Sequence, residues 1–161
     1  MDLNPYAIHL GDSDPMEIIS TTPDRLARLT SGLGPEVCDR APAPGKWSVR
    51  EIIAHLADCE TVFSFRLRQT LSEKDATIQP FDQGAWAERY QVYDLPSAMT
   101  LFSASRGWNL KLLRGTSAAE RKLPVMHPER GTMSFWTIVE TMAGHDINHL
   151  NQVERLALGR S

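Results

Sequence analysis

Two histidines four residues apart, His145 and His149, lie inside an apolar stripe of helical period. The stripe runs Phe135, Ile138, Val139, Met142, His145, His149, Val153, Leu156. On an α-helix, positions i and i+4 share one face, a turn apart. A stripe of this kind must be buried, so both imidazoles are buried with it. A buried polar group left without a partner costs about 1–3 kcal/mol, which makes a demand on whatever packs opposite. Two imidazoles so placed can converge on one metal ion, as the outer histidines of H-E-x-x-H do. That motif itself is absent, because Asp146 and Ile147 follow His145. Two ligands do not make a tight site, and the best candidate for a third is His55. The alternative is ordinary core, in which each buried histidine is simply hydrogen-bonded.

His55 belongs to the segment with the clearest helix start. Ser48-Val49-Arg50-Glu51 has capping-box spacing, and Trp47 and Ile52 stand where a hydrophobic staple requires them. Ile52, His55, Leu56, Cys59, Val62, Phe63 and Arg66 then trace one stripe, which points His55 into the protein. Two further long helices are expected. One starts at Asp14-Pro15, is broken or kinked at Pro23, and ends near Gly32 or Gly34. The other opens at Leu95-Pro96 and stops at Gly115, with Ala98, Leu101, Phe102, Ser105, Trp108 and Leu112 as its apolar side. The last helix, capped by Thr132 or Ser134, runs to about Gly159.

Between these segments, residues 1–13 read as an N-terminal arm with a short helix. Ala41-Pro42-Ala43-Pro44-Gly45 reads as a tight linker. Residues 71–94 form a long connection with a possible cap at Asp82. Ser117 and Glu120 repeat the capping-box spacing for about one turn before Pro124. His127 to Gly131 reads as a turn-rich surface loop, and His9 is also placed at the surface. No convincing strand pattern is present. Four long helices in one domain spanning 1–161 must bury their stripes on each other, so the expected fold is all-α: a four-helix bundle with a long crossover connection. Bundles of this kind build metal sites from side chains on facing helices.

Composition narrows the function classes. The chain has 161 residues, 42% hydrophobic and 23% charged, which is globular rather than disordered. Its net charge of −3 leaves no footprint for nucleic acid or an anionic membrane. No apolar run of about 18 residues exists to span a bilayer, and the first residues do not read as a signal peptide. Two cysteines, Cys38 and Cys59, do not make a disulfide framework. The expectation is a cytoplasmic protein with reduced thiols.

Lys46 to Glu60, Phe81-Asp82 and the block Gly144 to Gln152 together resemble the signature of the DinB-like (DinB/YfiT) superfamily, over most of residues 14–158. The resemblance implies a bundle with a crossover, often a homodimer. It also implies a divalent metal, zinc or nickel, on three histidines that correspond to His55, His145 and His149. Members are described as metal-dependent hydrolases or as transferases using a low-molecular-weight thiol cosubstrate. The expected function is therefore a metal-dependent hydrolase or thiol-dependent S-transferase acting on a small molecule. The alternative is a non-enzymatic metal-binding or small-molecule-binding stress-response bundle. Three neutral imidazoles leave open coordination positions, as catalytic sites require. The metal there could lower the pKa of a bound water to about 7 or hold a cosubstrate thiol as thiolate. Asp58, Glu60 and Asp82 are candidates for a general base. Asp58 and Glu51 are candidates to orient His55. Cys59, Met142 and Gln152 are expected to line the substrate pocket, with Trp86 or Asp82 near its mouth.

Overall fold

The fold is held by four long helices, each started by a side chain that takes orphan backbone N–H groups. The computed structural model describes residues 3–159. After a short helix α1 (Ala7–Leu10) comes α2 (Pro15–Thr30), capped by Asp14. A single turn, α3 (Pro35–Cys38), leads to the linker and to α4 (Val49–Ser72). There the capping box forms as expected: Ser48 Oγ accepts from Glu51 N–H at 3.3 Å, and Glu51 Oε2 accepts from Ser48 N–H at 2.8 Å. The long connection carries α5 (Gln83–Ala87), capped by Asp82, and a 3₁₀ turn (Tyr90–Val92). Helix α6 (Leu95–Arg114) follows, capped by Asp94, and the chain closes with α7 (Phe135–Ala157), capped by Ser134. No helix among the described residues is long and apolar enough to cross a membrane.

Helix α2 packs on α7 and α6, and α4 packs on the same two helices, so α2 and α4 occupy opposite corners of the bundle. The helices that carry the histidine blocks, α4 and α7, are therefore neighbours. The interior is layered along the helix axes. One apolar cluster holds Phe63, Leu67, Leu113, Phe135, Ile138 and Met142, and another holds Leu26, Val49, Ile53, Phe102, Leu150 and Val153. Between them lies a polar waist of His55, Glu60, Arg106, Asn109, His145, Asp146 and His149, each at most 5% exposed.

Three expectations are corrected. Helix α2 is not broken at Pro23, which lies inside it. Proline has no N–H to give the carbonyl four residues earlier. That carbonyl, of Ile19, instead accepts from Arg106 Nη1 at 2.9 Å. The inward face of α6 also differs. Leu101 and Trp108 are 47% and 63% exposed, while Arg106 and Asn109 face in, because carboxylates on α4 and α7 await them there. Finally, residues read as turn and loop form an antiparallel hairpin, β1 (Pro124–His127) with β2 (Gly131–Ser134). Strands of four residues, one opening on proline, are too short for their alternation to register. His127 is consequently buried rather than at the surface, and its Nδ1 accepts from Glu129 N–H at 3.2 Å. Ile78 N–H donates to Met126 O at 2.8 Å, so the long connection is stitched to the hairpin instead of hanging free.

Candidate metal centre

His55 comes from α4, and His145 and His149 come from successive turns of α7. Their ring centroids lie 4.4–5.1 Å apart. His145 Nε2 is 3.0 Å from His55 Nε2 and 3.1 Å from His149 Nε2. An imidazole nitrogen has a single in-plane site, either a proton or a lone pair. His145 Nε2 therefore cannot make two good hydrogen bonds, one to each neighbour. The outer nitrogens are held by polar partners: Gln152 Oε1, 3.0 Å from His149 Nδ1, accepts its proton, which leaves the His149 Nε2 lone pair toward the centre, and the Tyr90 hydroxyl lies 3.2 Å from His55 Nδ1.

Two of the three nitrogen separations can be set against a metal site. A tetrahedral ion with Zn–N of about 2.0–2.1 Å holds its ligand nitrogens roughly 3.3 Å apart, close to the two short contacts seen here. Burial favours the neutral rings that ligation needs. It lowers His55 to about 3, with His149 adding to the effect, and it lowers His149 to about 4 against the hydrogen bond to Gln152. His145 is held well below the ordinary histidine value, first by burial and then by its two histidine neighbours. Aromatic rings pack around the site. Trp47 lies 4.7 Å from the His55 ring and stacks at 6.3 Å on His149, while Tyr6 meets His145 edge-on at 5.1 Å.

Cys59 offers a second way to complete a three-ligand set. Its Sγ is 3.5 Å from His55 Nε2, and donor atoms of His55, Cys59 and His145 all lie within 4.8 Å of one another. Burial, followed by the charge of Asp58, pushes the Cys59 thiol up, while Gln152 Oε1 lies 3.0 Å from His149 Nδ1 and orients that ring.

The other candidates lie apart from the three rings. Glu60 is engaged by Arg106 Nη2 at 2.8 Å and Asn109 Nδ2 at 2.7 Å. Asp58 is half-buried on the groove between α4 and α6, and Asp82 is occupied in capping α5. Glu51 serves the capping box, and His55 Nδ1 faces the Tyr90 hydroxyl rather than Glu51 or Asp58. Beside His149 opens a cavity whose wall includes Gln152 and Trp47. Of the other residues expected at a pocket, Met142 is fully buried in the core, Cys59 is buried behind His55, and Trp86 packs on Phe81 at 4.9 Å.

Sequence reasoning missed Tyr90, Tyr6 and the role of Trp47. Trp47 was visible only as a staple, although it immediately precedes the helix that carries His55. Tyr90 reaches the site because Arg50 Nη1 donates to its carbonyl at 2.7 Å, a long-range tie with no local signal. Tyr6 arrives because α7 has glycine at position 144. A Cβ there would overlap the Tyr6 carbonyl oxygen and sit 2.7 Å from Tyr6 Cβ.

Known proteins share this sequence and architecture. A protein of Oceanobacillus iheyensis named "Putative metal-dependent hydrolase" is 31% identical over 140 residues, which is 86% of this chain and 81% of that protein. One of the same description from Bacillus mycoides is 28% identical, with coverage of 86% and 80%. The solved structure of YfiT from Bacillus subtilis superposes with a TM-score of 0.79 at 23% identity, covering 91% of this chain and 87% of that one. YfiT is described as having an unusual four-helix bundle topology, the fold seen here. Residues 18–153 match the model of the DinB superfamily, and the chain belongs to that family.

Proposed function

We propose that the protein is a divalent-metal-dependent hydrolase of a small molecule, with His55, His145 and His149 as the ligands. The observation that carries this reading is the pair of Nε2 contacts made by His145, which protons alone cannot satisfy on both sides. Zinc or nickel suits a set of neutral imidazoles. When bound, such an ion supplies Lewis-acid polarisation and a nucleophile at neutral pH.

The chain's own groups have separable tasks. Burial keeps the three imidazoles unprotonated at neutral pH. Tyr90 and Gln152 hold the tautomers of His55 and His149, a second layer of contacts that typically matters about 10–100-fold to metal affinity or activity. Trp47, Tyr6 and Phe63 exclude bulk water, which strengthens every electrostatic contact inside. Cys59 stands beside the ligands without closing the set. Hydrolysis is preferred over thiol-dependent transfer because the named relatives carry the former description.

The test is metal analysis of tag-free protein, followed by cobalt substitution. The expected result is about one ion per chain and a spectrum perturbed by azide. A spectrum indifferent to azide and lost in Cys59→Ser would mean that Cys59 closes the site and would overturn the reading. A response confined to small thiols would favour transfer over hydrolysis. A homodimer belongs to the same reading, supported by exposed Phe65, Leu101 and Trp108 on α4 and α6. A monomer mass by light scattering across micromolar concentrations would exclude it.

A further inference from the structure

The cavity beside His149 has a volume of about 480 Å³, within the range of small-molecule sites. Its walls are mostly apolar, with Trp47, Ile52 and Leu156 among them. Its charged lining is one-sided: Lys46 and Arg155 contribute, and no carboxylate does. Among the described residues neither cation is in an ion pair. Lys46 comes from the linker before α4 and Arg155 from the last turn of α7, so only the fold brings them to one cavity. Two unneutralised cations facing one pocket stand out on a chain whose net charge is −3.

We propose that this cavity seats the substrate, and that the substrate is a small carboxylic acid with an apolar body. The body lies against Trp47, Ile52 and Leu156. The carboxylate meets Lys46 and the fork of Arg155, whose planar geometry matches a carboxylate in two parallel hydrogen bonds. The reacting end then points toward His149 and Gln152. A monoanion suits the site better than a phosphate dianion. Arg155 sits at the C-terminal end of α7, where the helix carries partial negative charge, and no helix N-terminus is needed to account for the pocket. This assignment rests on the hydrolase reading for its reacting end only. The choice of an anion follows from the cavity itself.

The test uses the full chain with its metal content measured, and three probes: phenylacetate, phenylacetamide and phenyl phosphate. Calorimetry should show phenylacetate binding at least about tenfold tighter than the amide. Lys46→Gln with Arg155→Gln should reduce that preference to about twofold or less, while metal content and melting temperature stay unchanged. Protein stripped of metal by chelation should keep the preference, which separates this site from acid bound directly to an ion. Equal affinity for acid and amide in the unaltered protein would overturn the proposal. So would a preference that survives the double substitution, one that disappears with the metal, or tighter binding of phenyl phosphate than of phenylacetate. Metal-free protein that binds the acid normally but takes up no added zinc or nickel would sink the hydrolase reading and leave the acid site standing.

Discussion

The polar waist holds two buried clusters that solve the same problem in opposite ways. In one, Arg106 donates to Asp146 Oδ2 at 2.6 Å, to Asp146 Oδ1 at 3.1 Å and to Glu60 at 2.8 Å, and Asn109 also donates to Glu60. Burial works against the guanidinium charge, but Asp146 and Glu60 outweigh it and raise Arg106 further above its ordinary range. All four carboxylate oxygens have a donor, and of the side-chain polar atoms here only Arg106 Nε is left without a partner among the described residues, so this cluster is close to closed. In the other, three imidazoles face each other, with His145 Nε2 3.0 Å from His55 Nε2 and 3.1 Å from His149 Nε2. It is open, because one ring nitrogen cannot make a good hydrogen bond to both neighbours. Consecutive residues of α7, His145 and Asp146, belong to different clusters.

The comparison breaks most visibly at Arg106. Arg106→Met leaves Asp146 and the Ile19 carbonyl without their donor and Glu60 with Asn109 alone. Removing one partner of a buried ion pair costs about 3–5 kcal/mol. At about 2–4 °C per kcal/mol for a domain of this size, the melting temperature should fall by roughly 6–20 °C. A loss below about 1 kcal/mol in urea denaturation would show that the cluster is not closed as described.

At the open cluster the matching experiment adds rather than removes a partner. Zinc or nickel at 100 times its dissociation constant should stabilise the protein by about 2.7 kcal/mol. His145→Ala and His149→Ala should each abolish that gain. An equal metal-induced shift in the parent and both variants would place the ion elsewhere.

Acid should separate the clusters next. The folded values of His55 and His149 are lowered to about 3 and about 4, against about 6.5 in the unfolded chain. Between those limits the unfolded state binds more protons, so stability falls as pH drops. The stabilisation is fully present above pH ~6.5 and is progressively lost down to pH ~4 for His149 and pH ~3 for His55. Each imidazole contributes a slope of at most about 1.4 kcal/mol per pH unit. Urea melts of metal-free protein at pH 7.5, 6 and 5 should show the decline, and His55→Leu should lessen it. A flat profile between pH 7 and 5 would mean that the rings already carry protons in the fold.

The sequence made one of these clusters legible and hid the other. His55, His145 and His149 could be read because each interrupts an apolar stripe of known period, and the capping box at Ser48 fixed the phase of α4. The Arg106 cluster was hidden because α6 has two plausible inward faces. Leu101 and Trp108 made the more apolar one, and the face actually buried carries Arg106 and Asn109. Choosing correctly requires knowing that Glu60 and Asp146 face the same point, which depends on tertiary packing. The hairpin was hidden by its length, and Tyr90 and Tyr6 reach the site through contacts across the fold.

The smallest expected effect tests how the closed cluster reaches α2. A proline inside a helix both withholds an N–H and crowds the carbonyl four residues earlier. Pro23→Ala therefore relieves crowding in any background. It also returns a donor to Ile19 O, but in the parent protein that oxygen already accepts from Arg106 at 2.9 Å. The stiffness that proline gives the unfolded chain is lost as well, so the net change in the parent should stay within about 1 kcal/mol of zero. In the Arg106→Met background the same carbonyl is buried and bare. There Pro23→Ala should recover about 1 kcal/mol more, the usual worth of one intramolecular hydrogen bond. The crowding and unfolded-chain contributions appear in both backgrounds and cancel in the double-mutant cycle. A coupling near zero would mean that Arg106 does not stand in for the missing N–H. The continuity of α2 through Pro23 would then need a cause other than the closed cluster.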